Sequence, residues 1–219
     1  MLDAAQAADR TLPQLDHSRA LVRREWQDAQ RRLRSALAIG LVIWPMTGLL
    51  DWFVAEDDPP LLHWLFGIRD VGWAVIGLGF LTVHLARQLS PLALTLIDAF
   101  EFTAACVLIC AMCWRFGGIA SGYSTGLLLV IMVRAATVAE HWRRGAPIYL
   151  WMGSTFPAFM FAAANFDPAI AAQFSDRAAV SRFAVQHFFI LSGTLIGMLS
   201  AHAVWRLRRE AYETRELGA

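Results

Sequence analysis

The fold is decided by the stretch His202-Ala-Val-Trp-Arg-Leu-Arg-Arg-Glu-Ala-Tyr-Glu-Thr-Arg-Glu-Leu-Gly-Ala219, which begins as an apolar helix and continues as a charged amphipathic one. No helix breaker separates the two parts, so a single helix is predicted to run through both. A membrane helix that passes directly into a charged helix is typical of a rod that couples the membrane to a partner. We therefore predict a coupling helix over residues 206–219, whose charged positions include Arg206, Arg209, Glu210 and Glu213.

The composition indicates an integral membrane protein. Hydrophobic residues make up 57% of the 219-residue chain, and its mean hydropathy is +0.46. This share exceeds the usual value for soluble domains, and the apolar residues fall in long runs. The net charge of +1 argues against a nucleic acid as partner.

The apolar runs predict an all-α, polytopic bundle of six transmembrane helices, each close to the ~20 residues that cross a bilayer. The predicted spans are residues 36–54, 61–86, 91–114, 119–138, 147–166 and 182–205. We accordingly divide the chain into a cytoplasmic amphipathic helix over residues 1–35, a transmembrane domain over 36–205 and the coupling helix over 206–219.

The arginine distribution predicts the orientation. Arginines cluster before the first span, in the second-to-third and fourth-to-fifth loops, and after the sixth span, whereas the opposite loops are acidic or mixed. The positive-inside rule then places both termini in the cytoplasm, and we expect a multi-pass protein of a bacterial inner membrane.

A stripe of apolar residues with heptad spacing precedes the first span. It consists of Val22, Trp26, Ala29, Leu33 and Ala36, among Arg, Glu and Gln residues. Two interpretations stay open: a coiled-coil seam, or a helix lying on the membrane surface with its basic face toward anionic lipid. In both, the segment lies on the same side of the membrane as the coupling helix.

Three ionisable residues fall inside predicted spans. Asp98 and Glu101 share a face of the third span, and Arg134 lies at a similar depth in the fourth. Because an unpaired charge is costly in the membrane, we predict an ion pair of Arg134 with Asp98, Glu101 or both. This pair would be a proton or ion path, a switch, or a fixed lock on helix register. Arg69 and the adjacent Asp70 form either a second such group or an interfacial pair.

Histidines and cysteines suggest two cofactor hypotheses, neither of which is favoured. The pairs His63/His187 and His84/His202 are conceivable axial haem ligands on the second and sixth spans, but their spacings of 21 and 15 residues do not match in depth. Cys106, Cys110 and Cys113 share a helix face, yet they lack a convincing fourth ligand for a metal and suit helix packing equally well. We therefore predict no cofactor and no metal.

Small residues recur every four positions in two spans, as Gly118, Gly122 and Gly126 in the fourth and Gly193, Gly197 and Ala201 in the sixth. Such ladders allow helix backbones to approach closely. The second ladder leads directly to the coupling helix and is predicted either as a homodimer seam or as packing within one protomer.

Three features together resemble a known family. They are the basic heptad segment with its six spans, the sequence Val-Arg134-Ala-Ala-Thr-Val-Ala-Glu-His-Trp-Arg143-Arg144, and the sequence Leu207-Arg-Arg-Glu-Ala-Tyr-Glu-Thr-Arg-Glu-Leu217-Gly218. This arrangement is similar to the six-helix membrane module that some bacterial Ser/Thr protein kinases carry before the catalytic domain. The membrane anchors of bacterial class III nucleotide cyclases have a similar layout. One departure is Ala139, where the kinase family often has proline.

The resemblance implies a non-catalytic sensory or anchoring module, with a kinase or cyclase domain acting in cis or in trans. We expect such a domain to begin where this sequence ends, and no nucleophile elbow, Walker loop or kinase glycine-rich loop occurs in the sequence itself. The alternatives are a proton- or ion-coupled carrier built on Asp98, Glu101 and Arg134, and a haem-binding electron carrier.

Overall fold

A computed structural model describes residues 26–55 and 57–217, all of which lie in helices, turns or short connections, with no strand. Val22 and the rest of the segment before residue 26 lie outside the described residues, as do the side chains of residues 213 and 215–217. The α-helices are α1 (26–46), α2 (Gly48–Ala55), α3 (Pro59–Leu85), α4 (Pro91–Arg115), α5 (Thr125–Thr137), α6 (Trp142–Ala164), α7 (Pro168–Gln173) and α8 (Arg177–Leu217). Two single 3₁₀ turns, Gly118–Ala120 and Gly122–Ser124, precede α5.

Three helices begin at the same local signal, an oxygen-bearing side chain followed by proline. Asp58, Ser90 and Asp167 cap α3, α4 and α7, and a proline occupies the first turn in each case. The cap accepts a hydrogen bond from a free backbone N–H group, while proline needs no such partner and holds a helical φ. These signals define the loops of the bundle.

The first span is broken where the sequence has Pro45. Proline carries no N–H, so the carbonyl of Leu41 loses its helical partner and instead accepts a hydrogen bond from the Trp73 indole at 3.2 Å. The chain turns at Thr47 and resumes as α2. The break therefore lets the α2 side chains face α3 at an angle that a straight helix would not give.

Four helical stretches are long and apolar enough to cross a membrane: Trp26–Ala55, Pro59–Leu85, Pro91–Arg115 and Arg177–Tyr212. A shorter apolar helix covers Gly122–Thr137. Large apolar side chains such as Phe53, Leu78, Leu92 and Phe188 are exposed on these helices, as expected for surfaces that face lipid.

The helices pack around α4, which contacts α3, α5 and α6, while α8 packs against α5 and α6. We call the end that holds the start of α1 and the end of α8 the termini side, and the opposite end the far side. On the termini side, Gln30 donates to the carbonyls of Val83 and Ala86 and accepts from the Leu89 N–H, which ties α1 to the α3–α4 connection.

The described part of the heptad stripe belongs to the bundle itself. Leu33 and Ala36 are buried in the core, and Trp26 packs against it. Helix α1 runs from residue 26 into the first span without interruption, so the predicted boundary at residue 35 falls within a helix. The apolar side chains of the stripe therefore pack against other helices of the same chain in this region.

Candidate functional site

The centre of the site is Arg134, near the end of α5, whose side chain is fully buried. Its Nη2 donates to Asp98 Oδ2 and to Glu140 Oε1, each at 2.6 Å. Its guanidinium carbon lies 4.6 Å from the centre of the Tyr149 ring, a cation–π distance. The predicted pair of Arg134 with Asp98 is thus present, and Glu140 joins it.

Glu101 is not part of this ion pair, so of the predicted alternatives the pair of Arg134 with Asp98 is the one that forms. Residues 98 and 101 differ by about 60° in direction and 4.5 Å in height on an ideal helix. Asp98 consequently faces α5, whereas Glu101 lies over Gly79 of α3, where a β-carbon would collide with its carboxyl group. One helix face therefore serves two different neighbours.

Glu140 was missed because it lies in the α5–α6 loop, outside every predicted span. The first turn of α6 makes room for it: a β-carbon on Gly145 would lie 2.6 Å from Glu140 Oε1. The sequence signal is the pairing of an acidic loop residue with a glycine five positions later. Pairing charged residues of two spans because they lie at a similar depth does not detect a partner in a loop.

The arginine cluster is only partly satisfied. Arg134 Nε and Nη1 and Asp98 Oδ1 are buried and have no hydrogen-bond partner in the described part of the chain. Buried charged groups normally use more of their hydrogen-bonding capacity than this. Two carboxylates bond to the same terminal nitrogen while Nε and Nη1 are unused. Either carboxylate could therefore bond to a different nitrogen of Arg134 without unfolding of the helices.

The residue after Glu140 connects this cluster to α8. His141 caps α6, its Nδ1 accepting from the Arg143 N–H at 3.2 Å. Its ring centre lies 5.0 Å from that of His202 and 4.9 Å from that of Trp205. Consecutive loop residues therefore contact the buried Arg134 on one side and α8 on the other.

Desolvation and, to a smaller extent, the neighbouring charges lower the pKa of His141 below the ordinary histidine value. The largest cause is desolvation, followed by His202, Arg143, Arg144 and Arg209. A neutral ring is also what the helix cap requires, because Nδ1 accepts a hydrogen bond only when it carries no proton.

Beyond Trp205, α8 lies against the start of α1. The Tyr212 hydroxyl donates to Asp28 Oδ2 at 2.5 Å, and the Arg209 guanidinium lies over the Trp205 ring. A cavity of about 530 Å³ opens on the termini side between α1, α4, the α5–α6 loop and α8, and Asp98 and Glu140 are among its walls. The cluster is thus next to this cavity.

The predicted coupling residues differ in their surroundings. Arg206 and Glu210 form an exposed pair at 3.4 Å, whereas Arg209 contacts Trp205. Glu213 lies on the same continuous helix, but its side chain is outside the described residues.

A second buried arginine cluster lies on the far side. Arg69 Nε and Nη2 donate to Asp51 at 2.8 and 3.1 Å, and Nη1 donates to Thr47 Oγ1 at 2.6 Å. Asp51 also accepts from the Tyr123 hydroxyl at 2.7 Å. The partner of Arg69 is therefore Asp51, and the adjacent Asp70 is exposed because neighbouring helix positions point about 100° apart.

The first glycine ladder does not exist as a helix face, which corrects that prediction. Gly118 and Gly122 lie in the 3₁₀ turns, and Gly118 has a φ of +61°, which favours glycine. The Ile119 N–H donates to Gln173 at 2.9 Å and holds the segment away from a helical path. Only Gly126 lies in α5, where it faces Ile109 of α4.

The second ladder is used within the chain. Gly193 faces Leu128 of α5, and Gly197 lies close to Ile131 of α5 and Tyr149 of α6. Ala201 is buried. This face is filled by α5 and α6, the second of the two alternatives that the sequence left open.

The structure gives the histidines of each conceivable haem pair other neighbours. His84 stacks on Phe80, His187 on Phe183, and His202 lies against His141. The Nδ1 atom of His63 is 2.7 Å from the Pro59 carbonyl oxygen. Cys106, Cys110 and Cys113 are buried as free thiols, and the described residues contain no group of three or more potential metal ligands.

Comparison with protein-family models, curated proteins and solved structures found no match to this chain. A functional conclusion must therefore rest on the geometry of the chain's own residues.

Proposed function

We propose that this chain is a non-catalytic membrane module that couples an intramembrane charge cluster to a cytoplasmic helix, and so anchors and regulates an output domain. The observation that carries the proposal is the junction Glu140–His141. Glu140 binds Arg134 inside the bundle, and His141 contacts His202 and Trp205 of α8.

The proposed coupling follows from the way in which Asp98 and Glu140 compete for the same nitrogen of Arg134. Two carboxylates hold one nitrogen of its guanidinium while its two other nitrogens have no partner among the described residues. A change that favours Asp98 over Glu140 would release the α5–α6 loop, and His141 of this loop contacts His202 and Trp205 of α8. A two-state element of this kind is the physical requirement for a switch.

The proposed topology has six spans with both termini in the cytoplasm of a bacterial cell. Four of the six spans are the long apolar stretches given above. Helix α5, together with the 3₁₀ turns before it, and the 23-residue α6 would be the other two. Arginines of α1, the α3–α4 connection, the start of α6 and the end of α8 lie on the termini side, which supports a cytoplasmic location for that side.

The proposed output domain is kinase-like or cyclase-like and is attached to α8 or binds it in trans. The support is the resemblance of the Arg134–Arg144 and Leu207–Gly218 segments, together with the docking of α8 on α1 through Tyr212 and Asp28. A homodimer stays a prediction, and its contact would have to avoid the Gly193–Gly197 face that α5 and α6 fill.

The coupling is tested by measuring the distance between α8 and α1 with spin labels at the exposed positions Gln27 and Ala211, in lipid nanodiscs. We expect Glu140→Gln to lengthen or broaden the distance distribution because the loop loses its ionic tie to Arg134. Glu210→Gln, a matched change in an exposed pair, should leave it unaltered. An unaltered distribution in Glu140→Gln would refute the coupling.

The output is tested by joining a class III cyclase catalytic domain after Ala219 and inserting one residue after Arg206. The insertion rotates the subsequent helix by about 100° and should change cyclase activity. Activity that is indifferent to the insertion would contradict the role of α8 as a coupling rod.

One observation favours a second candidate, a proton-coupled carrier. Asp98 borders the cavity on the termini side, and Glu101, three residues further along α4, borders a second cavity within the bundle. Two carboxyl groups thus lie between two cavities. In proteoliposomes with a pH-sensitive dye, a carrier would lose proton flux in Asp98→Asn and Glu101→Gln, whereas Glu210→Gln would keep it.

A further inference from the structure

An apolar groove of about 450 Å³ runs along the bundle between α1–α2 on one side and α4–α5 on the other. Its volume lies in the range of small-molecule sites. Several of its wall residues, including Ile39, Leu50 and Leu129, are also exposed on the lipid-facing surface. A molecule dissolved in the bilayer can therefore enter the groove sideways.

An acid without a partner for one of its oxygens lies in the wall of this groove. Glu101 is only 5% exposed, and its Oε2 is buried with no hydrogen-bond partner among the described residues. The carboxyl group rests over Gly79 of α3, whose lack of a side chain leaves space for it. Leaving a buried polar atom unsatisfied is costly, and more so in a membrane, where water is absent.

The other polar end of the groove is already satisfied. Arg69, Thr47 and Tyr123 line it there, but their polar groups bond to one another and to Asp51. Arg69 and Gly79 are ten residues apart on α3, which puts about 15 Å of apolar groove between the two polar ends. A ligand's polar group would thus bind at Glu101 and its chain would lie along the groove toward Arg69.

We infer that this groove is a binding site for a single-chain amphiphile of the membrane, with a hydrogen-bond-donating head group, a hydroxyl or an amine, placed on Glu101. An apolar chain matches the groove walls. A head group that donates a hydrogen bond satisfies the Glu101 carboxyl group, whereas a plain hydrocarbon cannot. A fatty acid is disfavoured because its carboxylate would face a second carboxyl group.

The site goes beyond the proposed coupling function and does not depend on it. The groove is next to the arginine cluster. Glu101 is about one helical turn from Asp98 on α4, and the groove-lining residues Val130 and Val133 lie in the helical turn of α5 just before Arg134. Occupancy of the groove is measurable whether or not α8 transmits a signal.

The test uses the whole chain in nanodiscs of phosphatidylcholine and phosphatidylglycerol, with a diazirine-bearing dodecanol as photoprobe and mass spectrometry of the labelled peptides. We expect labelling in α1, α4 and α5, displaced by 1-dodecanol or dodecylamine at concentrations roughly tenfold lower than by dodecane. Whichever of the two head groups displaces better identifies the donor.

Equal displacement by dodecane would overturn the proposal, because the groove would then hold an ordinary lipid chain. In wild-type protein this comparison needs no variant and so does not depend on mutant folding. Glu101→Leu should remove the tenfold preference, whereas Asp70→Asn, a change at an exposed acid, should keep it.

Gly122→Leu gives an independent check on the location. Gly122 lines the groove and has open space at its β-carbon position, so a leucine fits there without touching Glu101 and would narrow the groove beside Tyr123. We expect photolabelling to fall for all probes. Undiminished labelling in Gly122→Leu would place the probe elsewhere and contradict the site.

Discussion

The two buried arginines Arg69 and Arg134 are held in contrasting ways. On the far side, every guanidinium nitrogen of Arg69 donates a hydrogen bond, and Asp51 accepts from both Arg69 and Tyr123. On the termini side, Arg134 uses one nitrogen for two carboxylates and leaves two nitrogens without partners in the described part of the chain. The first arrangement uses the full hydrogen-bonding capacity of its guanidinium, and the second does not.

We interpret the fully satisfied cluster around Arg69 as a lock and the partly satisfied cluster around Arg134 as the proposed switch. Arg69 joins α3 to α2 and to the turn at Thr47, and its partner Asp51 also holds Tyr123 in the turn before α5. Arg134 joins α5 to α4 and to a loop that contacts α8. The partly satisfied cluster is the one connected to α8, whose end is the proposed coupling helix, so we expect stability to depend on the far side and coupling on the termini side.

Removing Asp51 should have the largest effect. Asp51→Ala leaves Arg69 buried and without its counter-ion, which should cost about 3–5 kcal/mol in the free energy of unfolding. The measurement is reversible unfolding in mixed micelles. Asp70→Ala is the matched control, since it removes an exposed acid beside the same arginine, and a comparable loss there would contradict the assignment of Asp51 as the partner.

Removing Asp98 should cost less. In Asp98→Asn, Glu140 still binds Arg134, and the amide oxygen can accept a hydrogen bond, so we expect a loss of about 1–3 kcal/mol. The same unfolding assay applies. A loss as large as that of Asp51→Ala would remove the contrast between the two clusters.

Acid should weaken the docking of α8 by charging His141. Because its folded pKa is lowered, the unfolded state binds more protons, and stability falls as the pH drops below about 6.5. The groups that face the ring are His202, Arg143, Arg144 and Arg209. His141→Asn keeps a capping acceptor without titrating, so its unfolding midpoint should change less between pH 7.5 and 5.5.

The smallest effect is expected for the exposed pair of Arg206 and Glu210. Both side chains are more than half exposed, and such i,i+4 pairs contribute about 0.3–0.5 kcal/mol. Glu210→Gln should therefore change the unfolding free energy by less than that of Asp98→Asn. A larger change would indicate that Glu210 makes a contact beyond Arg206.

The sequence predicted the helical class and the main apolar stretches because long apolar runs have few other solutions in a membrane. It also paired Arg134 with Asp98, since a short loop brings residues of equal depth together. It did not reveal the break at Thr47, although Pro45 was the available signal. Tertiary contacts of Trp73 and Arg69 complete that break, and these partners lie 22 or more residues away.

The remaining errors share one physical cause, the assumption that helical spacing continues. Gly118 and Gly122 keep a spacing of four, but Gly117 and Gly118 have a positive φ, and α5 begins only at Thr125. Glu140 escaped notice for the reverse reason, because it reaches a buried arginine from a loop. The first outcome depends on Gln173, which is distant in sequence, and the second on Arg134, which Glu140 reaches only because the α5–α6 loop folds back over the helix end.

The length of α8 has a mechanical consequence. Its 41 residues form one uninterrupted helix, of which the part after Trp205 projects by about 18 Å at 1.5 Å per residue. A tilt of about 10° at Trp205 would move the backbone of Leu217 by roughly 3 Å, while an axial rotation would reach it undiminished. In the proposed coupling, a small tilt of α8 beside His141 would thus reach the end of the helix as a displacement about the size of a hydrogen-bond length.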